Sequence, residues 1–401
     1  MRFSRRAFLA ATGAGAALSA APAGAASAAL ADGEAVAFHG SHQAGIATEV
    51  QAQLVLATFD LATSSRAEVL DLLAAWTKAA ERLTQGHALT PAGIDQPPPD
   101  TGEAMGLGAA RLTLTFGYGP SFFDGRLGYE HLRPTSLAEL PELAGDQIDA
   151  ASSGGDLCVQ ACADDAQVAF SAVHNLSRMA SGVLSLRKLQ TGFSRTSATA
   201  SSQETRRNLL GFKDGTNNIL GGDRRAMDRF VWLPASTEPS WMRGGSYLVF
   251  RRMRLALEAW GRLSLAEQEQ VIGRRRSGGA PLGARHEHDP VPLDLAGRHG
   301  GLVVPDGAHV REAAPSQNGS VRILRRGYSF AEGVDPLTGE IDAGLIFIAY
   351  QRDPEAQFLT IARRLAQHDR LQAYATTVSQ GVFACPGGLR PGAVLGGHLP
   401  R

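Results

Sequence analysis

Gln51-Ala52-Gln53-Leu54-Val55-Leu56-Ala57-Thr58-Phe59-Asp60-Leu61 is an apolar run of strand length, and the stretch Ser65 to Leu83 that follows changes its hydrophobic period. There Val69, Leu70, Leu73, Trp76 and Ala80 fall on one side, at the spacing of an amphipathic helix. A strand feeding a helix opens an α+β unit, and the next segments complete it. Leu112-Thr113-Leu114-Thr115-Phe116-Gly117 reads as a second strand before the turn Gly119-Pro120. Leu157 to Cys162 reads as a third, Asp165 to Arg178 as a second helix, and Val183 to Leu189 as a fourth strand. Strand, helix, strand, strand, helix, strand is the ferredoxin-like order.

A comparable rhythm resumes beyond Ser194 to Thr205 (SRTSATASSQET), a polar stretch that reads as a connection between domains. Ser246 to Met253 is strand-like, a helical run closes at Trp260 before Gly261, and Leu265 to Gly273 lies in a helix. Leu345 to Tyr350 is a strand apolar enough for burial on both faces, and Ile361 to Tyr374 reads as one last long helix. At 401 residues the chain exceeds what a single core usually supports. The expected architecture is α+β, with two ferredoxin-like halves built on antiparallel sheets, residues 32–193 and 206–401, packed as one unit.

Ser4-Arg5-Arg6-Ala7-Phe8-Leu9, the Ala/Gly-rich run after it and the small-residue stretch Ala29-Leu30-Ala31 read as a twin-arginine export signal over residues 1–31. The run is too weakly apolar to make a stable membrane anchor, and nothing later resembles a span. Passage through the twin-arginine translocase, which carries folded proteins, favours a cofactor inserted before export to the periplasm or the cell exterior. Cleavage removes Arg2, Arg5 and Arg6 and no acid, so 39 basic residues against 39 acidic become 36 against 39, a formal −3. That charge gives no case for nucleic acid. Cys158, Cys162 and Cys385 are odd in number, which excludes a complete disulfide framework. On a strand the first two share a face but lie about 13 Å apart, too far for a bridge or a shared metal. They read as small buried hydrophobes.

The chemistry concentrates in three places. Gly211-Phe212-Lys213-Asp214-Gly215-Thr216-Asn217-Asn218 sets a carboxylate between glycines, although alone it has the composition of a turn. Asp306 is placed to cap a short helix through His309-Val310-Arg311, ending near Pro315. Val321 to Tyr328 follows as a strand carrying cations. An imidazole can ligate a haem iron and a guanidinium can stabilise charge on a bound oxygen, but Arg325 and Arg326 alone read as the solvated end of a basic strand.

Together, Gly211-Phe212-Lys213-Asp214-Gly215-Thr216, then His309-Val310-Arg311, then Ile323-Leu324-Arg325-Arg326-Gly327-Tyr328 resemble, in order, the three signatures of the dye-decolorizing peroxidases. The segment from Phe38 to Ile46 (FHGSHQAGI) resembles that family's N-terminal motif. Tyr350-Gln351-Arg352-Asp353 and Phe383-Ala384-Cys385-Pro386-Gly387 resemble its C-terminal ones, so the resemblance spans essentially the whole mature chain. It implies haem b (iron protoporphyrin IX) in the C-terminal half, with His309 as the proximal iron ligand, Asp214 as the distal acid/base and Arg325 as the distal cation. It implies Asp369 as the carboxylate set against the proximal imidazole, and Gly215 and Arg311 beside the cofactor. His39 and His42 are assigned no iron. The implied activity is reduction of hydrogen peroxide with oxidation of dyes, phenols or other small one-electron donors. Asp214 would move the peroxide proton and Arg325 would stabilise charge as the O–O bond breaks.

Trp241, Tyr247, Trp260 and Tyr328 are candidate surface electron relays, set against core roles. The resemblance has one departure: members commonly carry Asn-Pro-Arg a few residues after the proximal His, whereas Ala314-Pro315-Ser316 stands here. It therefore supplies no arginine for a haem propionate at this spot. Two alternatives stay open: an exported haem- or iron-acquisition protein with incidental peroxidase activity, and a structural duplicated module without cofactor. A homo-oligomer is also allowed.

Overall fold

The computed structural model describes residues 35–89, 97–297, 300–336 and 338–401. The expected export signal lies outside the described residues.

The first half follows the sequence pattern: strand β1 (Gln53–Leu61), helix α1 (Arg66–Leu83), strands β2 (Thr113–Tyr118) and β3 (Leu157–Ala163), helix α2 (Ala166–Met179) and strand β4 (Leu184–Arg195). Ser65 and Asp165 start the two helices by accepting from otherwise orphaned backbone N–H groups. The second half has strands β5 (Ser246–Leu255), β6 (Leu324–Arg325), β7 (Tyr328–Val334), β8 (Ile341–Gln351) and β9 (Ala375–Cys385). Around them lie helices α3 (Arg224–Phe230), α4 (Leu257–Gly261), α5 (Leu265–Ile272), α6 (His309–Glu312) and α7 (Thr360–His368).

Strand order is β4-β1-β3-β2 in the first half and β7-β8-β5-β9 in the second, all antiparallel, with the short β6 also on β8. Counted from its own first long strand, each half has the same ferredoxin-like order. The edges then meet, β4 with β7 through Phe193 and Ser329, and β2 with β9 through Tyr118 and Ala384. Eight strands thus close a ring, which leaves neither sheet with a free edge. Alternate side chains separate its two faces. Leu54, Leu56, Cys158, Cys162, Leu248, Phe250, Ile346 and Ile348 fill the interior, and all three cysteines are buried there as free thiols. On the outer face Phe59, Phe116 and Val159 pack beneath α1 and α2 around Trp76.

Several expectations need correction. Val321 to Tyr328 is not strand throughout: pairing with β8 begins at Leu324, lapses at Arg326 and Gly327, and resumes in the same register at Tyr328 as β7. Ile361 to Tyr374 is not one helix, because α7 stops at His368, Asp369 is extended, and a tighter 3₁₀ turn runs from Arg370 to Tyr374. Within the polar connection after β4, Thr196, Ser197 and Thr199 are buried, while Ser201, Ser202 and Glu204 are exposed. Tyr247, Trp260 and Tyr328 are also buried and so are not surface relays, while Trp241 is half-buried with its indole N–H on the Leu132 carbonyl. Among the described residues no helix is long and apolar enough to cross a membrane.

Candidate active site

The outer face of the second-half sheet is not filled as the first is. Arg251, Met253 and Leu255 of β5 and Leu345 and Phe347 of β8 face a cavity of about 530 Å³, closed by α6, α7 and the loop around Asp214. Its walls are largely apolar, with Ile272, Phe358, Ile361 and Leu365 among them. Asp214, Gly215, His309 and Arg325 all line it.

Asp214 sits in a loop whose shape glycine makes possible. Gly215 has φ +89°, and a Cβ there would stand 2.9 Å from the Ser197 Cα. The close approach that selects this glycine is therefore to the buried part of the connection after β4. Arg325 Nη1 donates to Asp214 Oδ1 at 2.9 Å, and Asn208 makes a longer contact of 3.4 Å to Oδ2.

Two residues that the sequence did not single out hold this pair. Asn218 accepts from the Arg325 N–H at 2.8 Å and donates to its carbonyl at 2.9 Å, fixing the backbone under the guanidinium. Glu287 pairs with Lys213 and accepts from the Thr216 hydroxyl at 3.1 Å, so it straps both sides of Asp214. Burial works against the Glu287 anion, yet hydrogen bonds from Lys213, Thr205 and Thr216 hold its carboxyl below the usual range. Asn218 had a signal, its place at the end of the glycine-flanked motif. Glu287 had none.

His309 opens α6, and its Nδ1 lies 2.6 Å from Asp369 Oδ2. The break after α7 explains this contact. Asp369 Oδ1 accepts from the Leu371 N–H at 2.8 Å to start the next turn, which leaves Oδ2 for the imidazole. Burial disfavours a charged His309, but the Asp369 carboxylate outweighs it and raises the imidazole pKa. A carboxylate on Nδ1 fixes the proton there and leaves Nε2 as the donor nitrogen.

Asp306 does not cap α6. Its side chain is exposed, 3.8 Å from Arg311, and Glu312 instead accepts from the Gly307 N–H at 3.2 Å. Arg311 is not brought to the cavity. Its guanidinium donates to the carbonyls of Val304, at 2.8 and 3.1 Å, and Leu293. It pins the segment that contributes Leu293 to the wall, and no cofactor contact is assigned to it. His39 and His42 bond to the Leu389 and Gly244 carbonyls, outside the cavity.

This donor set fits haem b. One imidazole backed by a carboxylate suits a proximal iron ligand, apolar walls suit a porphyrin, and the volume lies in the range of cofactor sites.

Comparison with known proteins agrees. The chain matches the family model "Dyp-type peroxidase, N-terminal" over residues 43–194 and "Dyp-type peroxidase, C-terminal" over residues 205–390. It is 38% identical over 371 residues to a deferrochelatase of Escherichia coli O6:K15:H31, covering 91% of this chain and 87% of that protein. Ferric DtpA from Streptomyces lividans superposes with a TM-score of 0.83 at 42% identity, covering 91% of this chain and 97% of that one. A DyP-type peroxidase from Cellulomonas bogoriensis gives 0.81 at 38% identity, covering 91% and 98%. With both halves matched by family models and a paired imidazole and a paired carboxylate sharing one cavity, the chain belongs to the dye-decolorizing peroxidase family and is a haem-dependent peroxidase.

Proposed function

We propose that His309 holds the iron of haem b, that Asp214 carries the proton during peroxide reduction, and that Arg325 supplies the accompanying positive charge. Dyes, phenols and similar one-electron donors are the reducing substrates of this reading. Bound here, haem supplies the redox chemistry that the side chains lack.

The side chains do the rest. Asp214 Oδ1 is held by Arg325, so Oδ2, which among the described residues has only the long contact from Asn208, is the atom free to take a proton from one peroxide oxygen and return it to the other. The Arg325 guanidinium, fixed through Asn218, stabilises negative charge as the O–O bond lengthens. Asp369 keeps the His309 proton on Nδ1 and makes the ring a stronger electron donor.

The observation that carries this reading is the placing of the Asp214–Arg325 pair and of His309, backed by Asp369, on one cavity. Rapid mixing of haem-loaded protein with one equivalent of peroxide tests it. Asp214→Asn should slow the reaction by roughly a hundredfold or more, the usual scale for a positioned acid/base, and an unchanged rate removes Asp214 from the mechanism.

The relatives named deferrochelatase favour iron release from haem as a second reading. Free porphyrin fluorescence after incubation with haem, in the absence of peroxide, would support it over peroxide turnover. Export is the other part of the proposal: the Arg5-Arg6 leader directs the folded protein through the twin-arginine translocase. Replacing both arginines with lysine should leave the uncleaved chain inside the cell, and export at the wild-type level would refute this.

A further inference from the structure

The cavity wall carries five cationic side chains, Lys213, Arg251, Arg274, Arg322 and Arg325. Four are already matched. Lys213 pairs with Glu287, Arg251 with the buried Asp146, and Arg325 with Asp214. Arg274 donates to the carbonyls of Gly279 and Glu287 at 2.7 and 2.9 Å. Arg322 differs. Among the described residues its side chain has one partner, the Asn218 carbonyl at 3.2 Å, and no carboxylate.

A guanidinium presents five N–H donors in a rigid fork that matches the two oxygens of a carboxylate. Here most of that fork makes no protein contact among the described residues, on a part-buried side chain that lines an apolar cavity. The backbone beneath it is held. The Arg322 carbonyl accepts from Gln357 Nε2 at 2.6 Å, and β6 begins two residues later. Ser316, which replaces the arginine common in the family, also reaches the cavity wall, but offers only a hydroxyl.

We infer that Arg322 binds a propionate carboxylate of the haem, so that the cation which Ser316 cannot supply comes from the strand side of the cavity instead. The inference rests on the haem reading above and adds to it the group that matches the cofactor's own charge. It also gives a partner to the one cation on this wall that, among the described residues, has neither a carboxylate nor a second carbonyl to bind.

The test is equilibrium binding by the haem-free full chain, followed by visible absorption and tryptophan quenching, with haem and with haem dimethyl ester as the two ligands. Arg322→Gln should weaken haem binding by about ten- to a hundredfold, the range of a charge-assisted hydrogen bond, and leave binding of the ester unchanged. Arg322→Lys keeps the charge without the fork and should lose less than the glutamine variant, again with haem alone. Equal loss for both ligands would make Arg322 a packing residue and overturn the inference, as would no loss for either. If the wild-type chain takes up neither ligand, the haem reading itself falls, and this inference with it.

Discussion

Replacing Asp369 with Asn separates the two duties of one buried side chain. Oδ1 accepts from the Leu371 N–H and Oδ2 faces His309 Nδ1, at 2.8 and 2.6 Å. Asparagine has only one acceptor oxygen. If that oxygen keeps the Leu371 bond, the amide nitrogen meets Nδ1 as a donor, and the imidazole proton is forced onto Nε2, the atom needed for iron. If the amide flips, the imidazole keeps a weaker neutral partner and the Leu371 N–H faces another donor. The first outcome forfeits a charge-assisted bond worth about 1.5–3 kcal/mol; the second adds a lost cap of about 1 kcal/mol.

Either way about 2 kcal/mol is lost at the ligand, so haem binding should weaken roughly thirtyfold, inside the range known for groups that orient a metal ligand. Titration of the haem-free variant with haem, read by visible absorption, measures this directly. The haem-free protein gives a second reading. Asp369 raises the His309 pKa above its ordinary 6.5, so the stabilisation from this pair is fully present below about pH 6.5 and fades as pH rises through the raised value. Asp369→Asn should remove that slope. An affinity within twofold of wild type, with the slope intact, would refute the proximal assignment.

Other outcomes follow from the same geometry. Gly215→Ala should destabilise the fold by about 1–3 kcal/mol, because it combines a left-handed backbone with a 2.9 Å approach to the Ser197 Cα; an unchanged denaturant midpoint would show that the loop relaxes freely. His398 stacks on Trp241 with ring centroids 4.6 Å apart, and burial pushes its pKa down to about 4. Its folded pKa is depressed, so its contribution is present above pH 6.5 and lost as pH falls towards 4, by at most about 3 kcal/mol. His398→Phe should keep the stacking and flatten stability between those limits, and chemical denaturation at pH 7 and pH 4.5 checks it. Equal losses in both proteins would place the acid sensitivity elsewhere.

The first half was legible because its signals are local. Ser65 and Asp165 cap the helices where apolar spacing begins, and β1 and β3 are short apolar runs buried on both faces. In the second half the decisive features depend on partners distant in the chain. Nothing local in Ile361 to Tyr374 announces a break, since Asp369 leaves the helix to meet His309, 60 residues earlier. Glu287 braces a loop 71 to 74 residues before it, a spacing with no periodic signature. Arg311 shows a different limit: two positions along a helix amount to about 200°, so a neighbour of His309 in the motif points to the far side of α6.

The duplicated topology shows where the chemistry comes from. Both halves set helices against the outer face of the same four-strand order, and in the first that space is filled by Trp76, whose ring centroid lies 5.5 Å from Phe59 and 5.9 Å from Phe116. In the second, the equivalent face carries the cavity. The groups around it come mainly from segments between the long strands: Asp214 from before β5, His309 and Arg325 from between β5 and β7, and Asp369 from between β8 and β9. The ring behind them is closed and packed with apolar side chains, so it can hold these loops without itself having to deform. A ligand that fits the cavity therefore does in one half what tryptophan and phenylalanine do in the other, completing a core. Haem binding and folding of the C-terminal half are then thermodynamically linked, because a ligand that binds only the folded state stabilises it in proportion to the logarithm of its occupancy ratio.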